Sequence, residues 1–376
     1  MCGQANSKTS VPPGIVCLDD YESFARETLP QDIWAYLSGG VADEITLRRN
    51  ASAFGKLALQ TRAFADVSQG NTRCTLFGET LDYPIILAPL AYHRLVHADA
   101  ELGTVMGASA MKAAMVVSTL SSVSLEDMAH AAHAPLWFQL YFQADRQRTL
   151  ELVRRAEQAG YRALVVTADT PVTGTRNRQD RAGFSLPPTV SAVNLAAWPA
   201  VRHAPAQAGL SPVFDSAILA SAPTWRDLEW LRSQTRLPLL VKGLTSPSDA
   251  LQATALGVDG IIVSNHGGRA LDTQPASIDM LPAMADAVGK QLPLLLDGGI
   301  RRGTDVLKAL ALGATAVLIG RPYLYGLAVA GPVGVAHVLH ILRAELEMAM
   351  VLTGCRSLSD VTAEVLWRHG EARPHA

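Results

Sequence analysis

The sequence predicts an α/β fold, a (β/α)8 TIM barrel with an N-terminal helical extension and a long loop or lid after strand four. Eight short apolar runs recur between Ile85 and Arg321, leucine-rich or β-branched and without polar alternation, as strands buried on both faces should be. Amphipathic segments such as RTLELVRRAEQAG, SPSDALQATALG and GTDVLKALALG separate them and end near glycine, as helices often do. No GxGxxG follows the first run, which leaves a doubly wound open sheet as the weaker alternative.

Residues 1–18 read as a flexible tail without the charged-then-apolar order of a secretory signal. Residues 19–84 form the helical extension. There Asp19 or Asp20 caps a helix carrying Tyr21, Phe24 and Leu29, and Pro30 restarts the chain. A second helix with Ile33, Trp34 and Leu37 stops at Gly39-Gly40, and a third begins near Asp43 and runs through ITLRRNASAF. The barrel is expected over 85–345. Its strands are IILAP (85–89), VVST (116–119), WFQLY (137–141), ALVVTAD (163–169), LLVKG (239–243), GIIVSN (260–265), LLLDGG (294–299) and AVLIGR (316–321). The Ala-, Pro- and Ser-rich segment 183–223 breaks this rhythm after the fourth strand and reads as a lid over the face where barrel sites lie. From about Gly334 the chain reads as a closing helix or two, with 346–376 as a C-terminal helix and tail.

With 49% hydrophobic and 18% charged residues in 376, the chain can bury a substantial core. A net charge of −2 gives no electrostatic reason to expect nucleic acid or an anionic membrane as partner. Cys2, Cys17, Cys74 and Cys355 lie far apart, with no metal-ligand spacing, which fits a reducing compartment and no bound metal. No run approaches the roughly 18 apolar residues of a membrane-spanning helix. A cytoplasmic address is the default expectation.

In a barrel, polar groups at the C-terminal ends of strands are the candidates for chemistry. The sixth end reads Ser264, Asn265, His266, Gly267, Gly268, Arg269. A lone histidine more often serves the core, but this one lies between a strand end and two glycines, three residues before an arginine. The fourth end gives Thr167, Asp169 and Arg176. Asp169 can cap a helix, or it can hold a histidine's tautomer and stabilise the imidazolium. Arg176 and Arg269 can grip one carboxylate, whereas Arg178 and Arg181 read as solvated. Gln139 and Tyr141 end the third strand.

Lys242 ends the fifth strand and has two readings, a Schiff-base lysine or a positive charge beside a cofactor that turns negative on reduction. The last two ends, DGGIRRGTD (297–305) and IGRP (319–322), carry the glycines and arginines of a phosphate site. The whole set implies two ligands, a phosphorylated cofactor and a small carboxylate.

SNHGGRALD, WFQLY, RRAEQAGYRALVVTADTP, LDGGIRRGTDVLKALALGA and IGRP resemble the FMN-dependent 2-hydroxy acid dehydrogenases and oxidases, which include glycolate oxidase, lactate oxidase and mandelate dehydrogenase. The resemblance runs from Leu18 to about Ser359, and APLAYHRLVH with STLSSVSLED looks closest to the hydroxymandelate oxidase branch. It implies FMN as cofactor and His266 as the base, taking either the hydroxyl proton or the α-proton, with Asp169 as its partner. It implies that Arg269, Arg176 and Tyr36 hold the substrate carboxylate and that Tyr141 bonds near its hydroxyl. Lys242 would then sit at the N1/O2 edge of the flavin. Ala91, Ser118, Gln139, Thr167 and Ser264 would contact the flavin, while Asp297, Gly299 and Arg301 address the ribityl chain and phosphate, and Gly320 and Arg321 the phosphate.

This chain departs from the family pattern in places. Thr175-Arg176 stands where a double arginine is common, and His97-Ala-Asp-Ala-Glu101 replaces HPEGE. Leu120 and Thr173 fall at two pocket positions that are often bulky, so an aromatic or medium-chain (S)-2-hydroxy acid is expected first and lactate or glycolate second. No cytochrome-like stretch precedes the barrel, and the segment after strand four has no strongly amphipathic basic helix. Molecular oxygen is therefore the expected acceptor, with peroxide as product, although a dehydrogenase or a decarboxylating monooxygenase stays open. Family analogy suggests a homotetramer. The rival readings are a lysine-dependent aldolase using Lys242 and a non-catalytic flavin-binding barrel.

Overall fold

Three helices precede the barrel: α1 (Leu18–Thr28), α2 (Gln31–Ser38) and α3 (Ile45–Phe54). The structure, a computed structural model, describes residues 10–198, 209 and 211–367. Neither Asp19 nor Asp20 is the N-cap of α1. Cys17 holds that position, and Asp20 reaches back from the third helical residue to accept the backbone N–H groups of Val16 and Cys17, both at 2.9 Å. A carboxylate one turn inside thus satisfies two donors just ahead of the helix. The tail expected to end at residue 18 is shorter, because Ile15 and Leu18 are buried in the core. Pro30 caps α2 and Gly39 ends it, as the sequence implies.

A two-stranded hairpin, β1 (Cys74–Leu76) with β2 (Glu79–Leu81), follows within the stretch read as helical extension. Its turn residues Phe77 and Gly78 have φ of 52° and 80°, the paired left-handed geometry of a tight hairpin. Phenylalanine is a poor signal for such a turn, which hid the hairpin from sequence reasoning. Cys74, Leu76 and Leu81 pack with the inward-facing Ile86, Val116 and Leu240, and the Phe77 ring meets Trp137 edge-on at 5.5 Å. The hairpin therefore plugs the barrel at the end opposite the polar strand ends.

The eight expected strands are all present: β3 (Ile85–Leu87), β4 (Met115–Ser118), β5 (Leu136–Leu140), β6 (Leu164–Thr167), β7 (Leu239–Leu244), β8 (Gly260–Val263), β9 (Leu294–Asp297) and β10 (Ala316–Ile319). They pair in parallel in sequence order, and β10 pairs with both β9 and β3 to close the barrel. Between and after them lie α4 (Ala100–Ala110), α5 (Leu125–Ala131), α6 (Arg146–Gln158), α7 (Asn177–Arg181), α8 (Ala217–Ala220), α9 (Trp225–Gln234), α10 (Pro247–Ala255), α11 (Ser277–Val288), α12 (Gly303–Ala311) and α13 (Arg321–Thr353). Closure makes every strand end converge on one mouth, which is what places residues distant in sequence around a common cleft.

The segment 183–223 is fastened at its start. Buried Asn194 donates to Ser121 Oγ at 2.8 Å and to Val123 O at 3.2 Å, and accepts the backbone N–H of Leu125 at 3.0 Å. These bonds anchor it to the loop after β4. The middle of the expected lid, residues 199–208 and 210, lies outside the described residues.

Two helical halves close the chain: the first starts at Arg321, directly after β10 and earlier than expected, and the second starts just after Gly331, close to the expected Gly334. No boundary falls between 345 and 346, because α13 runs straight through and Leu346 is buried. The break is instead at Ala330–Gly331, where φ turns to −142° and then 58°, just ahead of Pro332. By length and composition this stretch is apolar enough to cross a membrane, contrary to the sequence reading, yet it is interrupted at its middle and packs against α1, α4 and α12. Its two halves touch at Gly326 and Gly334, where a Cβ on Gly334 would lie 2.0 Å from the Gly326 carbonyl oxygen. Gly334→Ala should therefore cost about 1–3 kcal/mol of stability, read as a lower denaturation midpoint. Gly55→Ala, whose Cβ would meet nothing closer than 3.4 Å, should leave the midpoint in place. Equal midpoints for the two variants would mean that the halves separate without cost.

Candidate active site

A cleft of about 440 Å³ opens where the strand ends converge. Every residue given a substrate, cofactor or catalytic role from the sequence lines it except Asp169 and Ser264, which stand one layer behind. Those along the walls are Tyr36, Ala91, Ser118, Leu120, Tyr141, Thr173 and Arg176, with Gln139, Thr167, Lys242 and Asp297 deeper in. Leu90, Thr170, Gln179, Leu324 and Tyr325 also line it and were missed. Gln179, Leu324 and Tyr325 sit on α7 and α13, away from the strand ends that draw attention in a sequence, whereas Leu90 and Thr170 directly follow the runs 85–89 and 163–169 and carry no charged or acid–base group.

Lys242 is buried, and its ammonium donates to Asp297 Oδ2 and to Ser264 Oγ, both at 2.8 Å. Burial opposes its charge, but the carboxylates of Asp297 and Asp169 outweigh that and raise its pKa above the usual lysine value. A lysine held this firmly protonated is a poor amine nucleophile, which removes the support for the Schiff-base reading. The other oxygen of Asp297, Oδ1, is buried and has no hydrogen-bond partner among the described residues. Such an acceptor at a cleft wall fits a ligand hydroxyl.

His266 follows β8 with φ of 58°, and Gly267 and Gly268 continue left-handed at 62° and 74°. Its backbone N–H donates to Ser264 Oγ at 3.0 Å, so Ser264 is taken up by Lys242 and His266 rather than facing the cleft. His266 Nδ1 pairs with Asp169 Oδ1 at 2.7 Å, which leaves Nε2 as the free ring nitrogen. Asp169 lies so close to β7 that a Cβ at position 243 would meet it at 2.6 Å, and Gly243 has φ of 105° there. Burial raises the Asp169 pKa, but the His266 imidazole and the Lys242 ammonium overcome this and hold the carboxyl below its usual range. The carboxylate therefore stays ionised and can stabilise an imidazolium.

Two further cations dock the helical extension onto the barrel. Arg269 donates to the carbonyls of Tyr36 at 2.8 Å and Gly39 at 2.7 Å, and its guanidinium lies 5.4 Å from the Tyr36 ring centre. Arg321 donates to Leu37 O at 2.9 Å, Gly39 O at 2.9 Å and Gly267 O at 3.0 Å. Burial lowers each pKa to about 10, so both remain charged at neutral pH. They serve the unpaired carbonyls at the C-terminal end of α2, where positive charge is favoured. Arg321, expected to meet a phosphate, thus spends three of its N–H groups on backbone carbonyls.

Arg176 differs. Its NH1 is buried with no hydrogen-bond partner among the described residues, and burial lowers its pKa. A buried unsatisfied guanidinium nitrogen facing a cleft is a site for an anion. Burial likewise pushes up the phenols of Tyr36 and Tyr141, which keeps both as neutral O–H donors. Tyr36 is stacked against Phe184 at 4.4 Å, so Phe184, at the start of the 183–223 segment, backs the Tyr36 side of the cleft.

The donor set fits FMN beside a small carboxylate. Lys242, the free oxygen of Asp297, the amide of Gln139 and the backbone turns at Gly298–Gly299 and Gly320 could hold the cofactor. Gln139 Nε2 donates to Thr167 Oγ1 at 3.0 Å, and its Oε1 accepts from Ser118 Oγ at 3.2 Å, so one network ties together three strand ends. Gly298 and Gly299 have φ of 97° and 89°, which sharpens the turn after β9. Arg301, next along, donates to Ile300 O at 3.0 Å.

Comparison with known proteins points to the same cofactor family. The family model for the FMN-dependent dehydrogenases matches residues 25–368. An L-lactate oxidase from Alicycliphilus denitrificans is 47% identical over 356 residues, which cover 95% of this chain and 97% of that protein. A 2-hydroxyacid oxidase from Dictyostelium discoideum is 43% identical over 364 residues, covering 96% of this chain and 93% of the other. A solved structure of mandelate oxidase with (S)-2-phenylpropionate has a TM-score of 0.84 at 40% identity, covering 92% of this chain and 96% of that one.

Two predictions rest on the charged groups. Arg176→Met should raise the melting temperature of ligand-free protein, since it removes a buried unpaired donor costing about 1–3 kcal/mol. It should also abolish the stabilisation given by an added 2-keto acid; a variant still stabilised by that acid would show that Arg176 does not bind it. Asp169 has a lowered folded pKa, so its contribution to stability is complete above its unfolded value near ~4 and is lost as pH falls through the folded value. Denaturation of Asp169→Asn across this acid range should lack that loss, and parallel curves for variant and parent would contradict it.

Proposed function

The chain belongs to the FMN-dependent dehydrogenase family, and we propose that it oxidises an (S)-2-hydroxy acid larger than glycolate to the 2-keto acid, with O2 as the final acceptor. Its cofactor is FMN, and its reaction class is that of the FMN-dependent 2-hydroxy acid oxidases. The observation that carries the proposal is the His266–Asp169 pair at 2.7 Å, with His266 lining one cleft with an Arg176 guanidinium nitrogen that has no partner among the described residues.

Oxidation removes two electrons and two protons from the hydroxy acid, and bound FMN supplies the two-electron acceptor. The protein handles the charge. Arg176 and Arg269 hold the carboxylate, and the Tyr36 hydroxyl adds a neutral donor. His266 takes a proton at Nε2, while Asp169 fixes Nδ1 as the donor and stabilises the imidazolium that results. Tyr141 donates near the substrate hydroxyl. Lys242, kept protonated by Asp297, would offset negative charge on the bound cofactor. Ala91, Ser118, Gln139 and Thr167 would contact the flavin, Asp297 would serve the ribityl chain, and Gly299, Arg301, Gly320 and Arg321 would serve the phosphate.

Leu120 and Thr173 both line the cleft, and side chains of this size leave room for a substituent larger than methyl, which favours a mandelate-like or medium-chain acid. Lactate is the second reading, favoured by 47% identity to an L-lactate oxidase. Flavin bleaching under anaerobic mixing with (S)-mandelate and L-lactate decides between them, the faster acid indicating the pocket size. Peroxide formed on admitting air tests the acceptor, and reduced flavin that persists in air would count against O2. His266→Ala should keep the yellow colour and slow flavin reduction by about 10²–10⁴-fold. Reduction at the parent rate would remove His266 as the base.

A further inference from the structure

We propose that Asn50, a residue of α3 that does not line the cleft, positions His266 for proton transfer. The inference rests on the assignment of His266 as base. Asn50 and Asn265 are both buried, and their side-chain amides bond reciprocally. Asn50 Nδ2 donates to Asn265 Oδ1 at 2.8 Å, and Asn265 Nδ2 donates to Asn50 Oδ1 at 2.8 Å. Each amide is also oriented from a second side. Asn50 Oδ1 accepts the backbone N–H of Ser277 at 3.2 Å, Asn265 Oδ1 accepts that of Gly268 at 3.1 Å, and Asn265 Nδ2 donates to Pro275 O at 3.1 Å. Turning either amide over would set donor against donor, so the pair has one arrangement.

That arrangement matters because His266 is held where a residue with a Cβ is strained. Residues 266–268 have left-handed φ of 58°, 62° and 74° in succession, a path that only its surroundings can impose. The turn is bridged by the Gly268 N–H, which lies 3.0 Å from Asn265 O and 3.1 Å from Asn265 Oδ1. The Asn265 side chain is thus the post around which the catalytic loop bends, and Asn50 fixes the post. The same element presses on the next loop, since a Cβ at Gly299 would lie 2.0 Å from Asn50 O. Helix α3 is therefore wedged between the two loops after β8 and β9, and its amide sets the direction from which His266 meets Asp169.

Asn50→Asp and Asn50→Leu test this by graded loss. A carboxylate keeps the acceptor for Asn265 Nδ2 and for the Ser277 N–H but cannot donate to Asn265 Oδ1, whereas leucine keeps none of the three bonds. In FMN-loaded Asn50→Asp, anaerobic flavin reduction should slow on the order of 10- to 100-fold, and more in Asn50→Leu. Bound FMN per chain and the affinity for pyruvate should stay essentially as in the parent. In the FMN-free protein, amide hydrogen exchange should quicken in the peptide covering 264–269. A purely structural role would lower stability and leave the reduction rate of the folded holoenzyme unchanged, which would overturn the proposal. A rate loss that only tracks loss of bound FMN would overturn it as well. If Asn50→Leu does not fold, Asn50→Asp alone decides. His266→Ala separates the two claims: if it reduces flavin normally, the base assignment fails, and if it does not while Asn50→Asp keeps the parent rate, only the role of Asn50 fails.

Discussion

The Lys242–Asp297 ion pair, 2.8 Å long and almost wholly buried, joins the ends of β7 and β9 on the inner side of the cleft. Isolated in such surroundings, either charge would be costly, and removing one partner would strand the other. The consequences spread outward from this pair. Ser264 is drawn in as an acceptor for the ammonium and thereby anchors the backbone of His266. Asp169 feels the same ammonium and stays ionised against its own burial. The histidine it faces is then fixed in tautomer through a carboxylate that depends in part on Lys242. One protonated lysine thus supports both the cofactor side and the proton-transfer side of the site.

The helical extension is as much a part of the active site as the barrel is. Two arginines from the barrel, Arg269 and Arg321, end on the open carbonyls of α2 and bring Tyr36 over the cleft. Glycine at positions 39 and 40 permits this, since a Cβ on Gly40 would lie 2.9 Å from the Gly268 carbonyl oxygen. The backbone N–H of Val41 donates to that same carbonyl at 2.9 Å. The extension therefore closes on the catalytic loop through main-chain contacts that few substitutions could replace. These cations contribute more through the carbonyls they satisfy than through exposed ion pairs, which are worth little. Arg176, with no partner at its NH1 among the described residues, has a nitrogen left entirely for an anion.

Most of the fold was legible because barrel strands are buried on both faces and so appear as uninterrupted apolar runs. All eight runs proved to be strands, and closure followed from their number and spacing. The hairpin at Cys74–Leu81 was not legible, since its strands are three residues long and its turn uses Phe77-Gly78 in place of a stronger signal. The end of the chain was misread for a related reason. Apolar content continues through Arg321–Thr353, and the break at Ala330–Gly331 depends on how two helix halves meet at Gly326 and Gly334. At the cleft, His266, Lys242 and Gln139 stand at strand ends, positions the sequence marks, whereas Gln179 and Tyr325 reach it from helices and carry no positional mark.

What the sequence determined by itself was the barrel, the set of strand ends and the chemical types standing on them, because these follow from local periodicity and from the convergence that closure imposes. What only the tertiary structure decided was which polar groups spend their hydrogen bonds on the protein and which keep them for a ligand. Ser264 and three N–H groups of Arg321 are committed to neighbouring atoms, while Arg176 NH1 and Asp297 Oδ1 are not. No pattern of residues encodes that division. Hydrogen bonding is settled by distance between groups far apart in sequence, and in this chain those distances are set when α2 and α3 dock against the loops after β8 and β9.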